Sequence, residues 1–140
     1  MQTPRDVMRS FPILVVASLA MLSVLLPENV PAIQVVTVVQ ADQGRTIKLE
    51  RGDTLVISLE SNPSTGYVWQ IDKHESPILK LASPPVFQPA THPMPGAPGH
   101  QRFEFTAVWR GSGSIELDYL RPWEKGVVPA KTFTVVVTVK

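Results

Sequence analysis

The chain has 140 residues, 44% of them hydrophobic and 18% charged, with a formal net charge of +1 and no cysteine. That length suits one domain able to bury its own core. The missing cysteine excludes disulfides, thiolate metal sites and a cysteine nucleophile. A near-balanced charge without a basic stripe excludes nucleic acid as an expected partner.

Residues 1–32 have the layout of a secretory signal: Arg5 and Arg9 precede an apolar run from Phe11 to Leu26, and Val30-Pro31-Ala32 offers small residues for cleavage. The run is short of the about 20 apolar residues that a membrane span needs. A cleaved signal peptide is therefore expected, with an N-terminal anchor as the alternative. Either places the domain at 33–140 in the periplasm or outside the cell, with no membrane contact unless residues 1–32 are retained.

From Ile33 onward the apolar residues recur with period two, the spacing at which a strand puts alternate side chains on one face. Ile47 and Leu49, then Leu55, Ile57 and Leu59, share one phase, with Arg51-Gly52-Asp53 as the turn between them. Arg-Gly-Asp invites an integrin interpretation, but Gly-Asp between two strands is far more commonly a turn. Asn62-Pro63-Ser64-Thr65-Gly66-Tyr67 follows as a stiff loop: Asn62 can cap its own backbone, Pro63 fixes φ and Gly66 permits positive φ. Taken alone, it is a turn between strands.

Tyr67, Trp69 and Ile71 then give a strand with an aromatic core face, and Asp72 to Pro77 is a polar break. A weak strand over Ile78 to Ala82 leads into a proline-rich stretch from Ser83 to Gly99, where Pro84, Pro85, Pro89, Pro93, Pro95 and Pro98 predict a long loop. Phe103, Phe105, Ala107 and Trp109 alternate with polar residues in the clearest strand of the chain. Gly111-Ser112-Gly113 is expected to turn it into the strand Ile115 to Tyr119. An exposed loop with Arg121, Pro122 and Trp123 precedes the last strand, whose core face is Phe133, Val135, Val137 and Val139.

About seven short strands without helical periodicity predict an all-β fold, an immunoglobulin-like antiparallel β-sandwich, with a closed barrel as the alternative. Leu55, Ile57, Trp69, Phe103, Phe105, Trp109, Leu117, Phe133 and Val135 are expected in one core, and Trp123 outside it. His74, His92 and His100 fall in expected loops without the spacing of a metal site. Ser64 lies in no Gly-x-Ser-x-Gly elbow, and Glu116 and Asp118 read as a solvated strand face. No enzyme, metal or cofactor is expected.

Three loop motifs together narrow the function. Asn62-Pro63-Ser64-Thr65-Gly66-Tyr67, Gly96-Ala97-Pro98-Gly99 and Arg121-Pro122-Trp123 stand in an order and spacing that resembles the chagasin family of cysteine-peptidase inhibitors, in the form of a bacterial-type member with a signal sequence. The resemblance covers about residues 35–140. It implies an immunoglobulin-like sandwich that displays the three loops at one end. It further implies a reversible inhibitor in which the first loop enters the cleft of a papain-like peptidase and the other two grip its flanks. On that resemblance Pro63, Ser64, Thr65 and Gly66 approach the catalytic cysteine and histidine, and Asn62 and Tyr67 of the same motif also belong to the peptidase-binding set. Gly96 and Gly99 belong to the middle loop, Trp123 packs on the enzyme, and Arg121, beside Pro122, adds polar contacts. Pro98 departs from a motif that has glycine there. A monomer is expected, and an adhesive or ligand-binding sandwich is the second possibility.

Overall fold

The period-two segments become nine strands in the computed structural model, which describes residues 30–74 and 77–140. The signal segment expected over 1–32 thus lies almost wholly outside the described residues. One sheet holds β1 (Val35–Val38), β3 (Thr54–Ser61), β5 (Leu79–Leu81), β6 (Val86–Pro89) and β7 (Gly99–Ala107). The second holds β2 (Thr46–Leu49), β4 (Val68–His74), β8 (Gly111–Leu120) and β9 (Lys131–Val139) in the order β2-β9-β8-β4. The central ladders are antiparallel, β3 on β7 and β8 between β4 and β9, so the expected sandwich is what forms. Two flanking pairs, β1 with β3 and β2 with β9, run parallel.

Leu55, Ile57, Leu59, Trp69, Phe103, Phe105, Leu117, Phe133 and Val135 are all buried in one cluster between the sheets. Apolar side chains on facing sheets remove each other from water, which is the main stabilising term here, since there is no disulfide. Ile47 and Leu49 share the phase of Leu55 but sit in the opposite sheet, because the chain crosses between layers at Arg51-Gly52-Asp53. Asp53 is buried, and its two carboxylate oxygens accept the backbone N–H of Gln34 at 3.0 Å and of Glu50 at 2.8 Å. The Arg-Gly-Asp run is a structural turn whose carboxylate is spent on the protein's own backbone.

Five expectations are corrected, one of them being that His74 and His100, expected in loops, lie in β4 and β7. Trp109 is 57% exposed, not core. The β7 ladder ends at Ala107, and the reversal occupies 108–110, so the apolar phase runs one step past the sheet. The indole instead lies under the Arg51 guanidinium, 5.5 Å from the ring centroid. Gly111-Ser112-Gly113, expected to turn, already pairs with Val139, Thr138 and Val137 as the start of β8. The proline-rich stretch contains β6, whose ladder with β7 ends at Pro89. An edge strand needs donors on one side only, so flanking prolines are tolerated there. The polar break expected from Asp72 begins later, because β4 runs on to His74 past a shift in register between Ile71 and Lys73.

Direction of travel fixes where the loops lie. β3 ends where β4 begins, β6 ends opposite the start of β7, and β8 ends opposite the start of β9. The connections after β3, β6 and β8 therefore share one end of the sandwich.

Candidate functional site

The first of these loops is built by Asn62. Its extended backbone caps a single turn of 3-10 helix over Pro63–Thr65, and Gly66 closes that turn in the left-handed region at φ 82°. The Asn62 Oδ1 accepts both the Ser64 N–H at 3.3 Å and the Ser64 hydroxyl at 2.6 Å. Thr65 donates its hydroxyl to the Asn62 carbonyl at 2.6 Å and accepts the Tyr67 N–H at 3.3 Å. The Asn62 Oδ1 and the hydroxyls of Ser64 and Thr65 are thus all engaged within the loop, the chemistry that favours Asn, Ser and Thr in turns. The result is a blunt, uncharged projection with Pro63, Ser64 and Thr65 in solvent.

The other two loops are tied to it directly. The Asn62 Nδ2 donates to the Gly96 carbonyl at 3.0 Å, which holds the middle loop against the first. Gly96 is exposed and sits at φ 77°, in a turn where the Ala97 N–H reaches the Met94 carbonyl at 2.9 Å. Gly99 is placed differently. It is buried as the first residue of β7, and a Cβ there would collide with the Gln88 carbonyl and the Phe87 ring, so close packing already accounts for the glycine. From the third loop, the Arg121 Nε donates to the Thr65 carbonyl at 3.1 Å while its Nη1 bonds Glu124 at 3.1 Å. The same guanidinium lies over the Tyr67 ring, 4.5 Å from the centroid. Trp123 is 65% exposed, as expected, and its indole rests on the α-carbon of Gly66, where any Cβ would overlap the ring.

Sequence reasoning missed what lies beneath. Tyr119 stacks on Tyr67 at 5.3 Å and lies tilted against Trp69 at 4.9 Å, and its phenol oxygen accepts the Asn62 N–H at 3.1 Å. The signal was available as an aromatic in the core phase of β8, two residues before Arg121. Among the described residues no group of three or more His, Asp or Glu side chains could hold a metal ion.

Because Asn62 caps one loop and tethers another, its two roles can be separated. Asn62→Asp keeps the capping acceptor but replaces the donor to Gly96 with a carboxylate facing a carbonyl. We expect the first loop to hold its shape while the middle loop is released. Amide exchange should rise at Gly96 and Ala97 and not at Ser64 or Gly66. Equal acceleration at all four amides would show that the two roles do not separate.

The family model described as Chagasin family peptidase inhibitor I42 matches residues 48–137. Amoebiasin-2 of Entamoeba histolytica is 30% identical over 110 residues, covering 78% of this chain and 87% of that protein. Chagasin of Trypanosoma cruzi is 31% identical over 101 residues, covering 70% and 92%. The crystal structure of a cysteine protease inhibitor from Entamoeba histolytica superposes with a TM-score of 0.72 at 28% identity, covering 79% of this chain and 99% of that one. The expectation of a bacterial-type member finds no support in these relatives. With the family model spanning the three loops and both sheets, the chain belongs to the chagasin family of peptidase inhibitors, a family of inhibitors and not of enzymes.

Proposed function

We propose that this protein reversibly inhibits papain-like cysteine peptidases by placing the first loop in the active-site cleft, with the middle and third loops against its flanks. The observation that carries this is the pair of side-chain ties, Asn62 to Gly96 and Arg121 to Thr65, that join three sequence-distant loops at one end of the sandwich. A surface already held in shape loses little conformational entropy on docking. The projecting tip has no charge to strip of water, and Trp123 supplies an exposed aromatic of the kind that anchors interfaces. Relatives named as cysteine protease inhibitors agree with this reading. A location outside the cytoplasm belongs to the same proposal and rests on the basic and apolar layout of residues 1–32. N-terminal sequencing of the native protein tests it: a mature start near Ile33 supports export, and an intact Met1 in a cytoplasmic fraction refutes it.

The test of function is titration of papain followed by long incubation. The 3-10 turn offers no extended strand for a peptidase to accept as substrate, so stoichiometric inhibition should persist and mass spectrometry should find the chain intact. Cleavage within residues 62–67 in step with returning activity would make the protein a substrate instead.

A further inference from the structure

We propose that Gln101 is a positioning residue for the inhibitory end, clamping the two sheets at the neck of the first loop. This rests on the inhibitory function proposed above, and the motifs that define the three loops do not include this residue.

The first loop leaves β3 in one sheet and lands on β4 in the other, so its shape depends on how far apart the sheets stand at that end. No ladder among the described residues sets this distance, since β4 pairs with β8 alone and its other edge is unpaired. Gln101 fills that role. On β7 it stands opposite Leu59 and in the same phase as Phe103, Phe105 and Ala107, an unusual place for a polar residue. Its Oε1 accepts the Trp69 N–H at 2.8 Å and its Nε2 donates to the Trp69 carbonyl at 2.7 Å. One planar amide thus supplies the donor and acceptor that a neighbouring strand would have offered.

Trp69 completes the closure, because its indole Nε1 donates to the Glu60 carbonyl at 2.9 Å. Both stems of the loop, Glu60 on one side and Trp69 on the other, are therefore linked through one residue to Gln101. Loss of the clamp would leave the core cluster in place but let the neck of the loop open. A protein that spends less time in its binding shape shows a weaker apparent affinity in proportion to the lost population.

The chemistry of the side chain is testable. Gln101→Met matches the length and suits the apolar phase but offers no N–H donor and at most a weak sulfur acceptor. Gln101→Glu keeps the acceptor and loses the donor. Both variants should be compared with the parent for papain inhibition, thermal unfolding and amide exchange at Trp69, Tyr67 and Gly66. We expect each to weaken inhibition by about tenfold, as a fall of the competent population to about a tenth requires. Exchange should accelerate at Trp69 and through Gly66, while amides of Phe105 and Val135 keep their protection. A variant that folds and inhibits like the parent, or one in which core and neck amides accelerate equally, overturns the proposal. If the parent itself fails to inhibit papain, the functional reading fails, but the exchange pattern still decides whether the clamp holds the neck.

Discussion

Thr65→Arg should abolish inhibition of papain, while Thr65→Ala weakens it only modestly. Thr65 is exposed on the projecting loop. Its hydroxyl holds the Asn62 carbonyl and the Tyr67 N–H, and both substitutions remove those bonds, which at an exposed site contribute about 1 kcal/mol or less each. The arginine adds something different, a charge carried into a closed cleft whose catalytic histidine is itself cationic beside a thiolate. An unpaired buried charge costs several kcal/mol, and each 1.4 kcal/mol is about a factor of ten in affinity. The two variants should unfold at similar temperatures, so a gap of more than a hundredfold between their inhibition constants isolates the charge. His100→Ala, at an exposed position on β7, serves as the control and should inhibit like the parent. Equal inhibition by the alanine and arginine variants would place Thr65 outside the cleft.

Legibility of the sequence varied with the physical cause of each feature. Strands such as β3, β7 and β9 are readable because a sheet with one buried face repeats its apolar residues every second position, and that pattern is local. Where a strand stops is set by pairing with a distant partner, which no local pattern records. Trp109 keeps the alternation going after β7 has lost its ladder. The glycines at Gly111 and Gly113 look like a turn but belong to β8. At Gly111 the backbone has φ 149°, and a Cβ would meet Ile78 Cγ2 at 2.9 Å, so the glycine answers to close packing and an unusual backbone angle. β6 stayed hidden because its prolines argue against any ladder, a rule that relaxes at an edge.

At the candidate site the three motifs were legible as turn chemistry and as a family resemblance, but not as one surface. The bonds that unite them join Asn62 to Gly96 and Arg121 to Thr65, across 34 and 56 positions of sequence. Nothing local in Asn62 distinguishes its capping oxygen from its tethering nitrogen. The roles of Tyr119 and Gln101 are not legible for a related reason: each follows the core phase of its strand, and only the meeting of the two sheets shows what its polar atoms reach.

Gly66 is the clearest case of a residue with a second, hidden duty, and it supports the last prediction. Its left-handed backbone alone would explain a glycine, since a residue with a side chain at φ 82° pays on the order of 1 kcal/mol or more. The structure adds that the Trp123 indole rests where a Cβ would go. Gly66→Ala should therefore both strain the turn and push Trp123 off its seat. Trp123→Ala removes an exposed anchor, for which about 2 kcal/mol or a thirtyfold loss of affinity is typical. In the parent background Gly66→Ala is expected to cost at least as much. In the Trp123→Ala background, with no ring left to displace, it should cost only the backbone strain. The double variant then loses less than the sum of the singles, with a coupling of about 1–2 kcal/mol, within the range for residues in contact. Inhibition constants for the four proteins against papain give that coupling directly, and thermal unfolding of each removes any part due to stability. Strict additivity would mean that Trp123 leaves Gly66 when the peptidase binds, so that the stacked pair belongs to the free inhibitor alone.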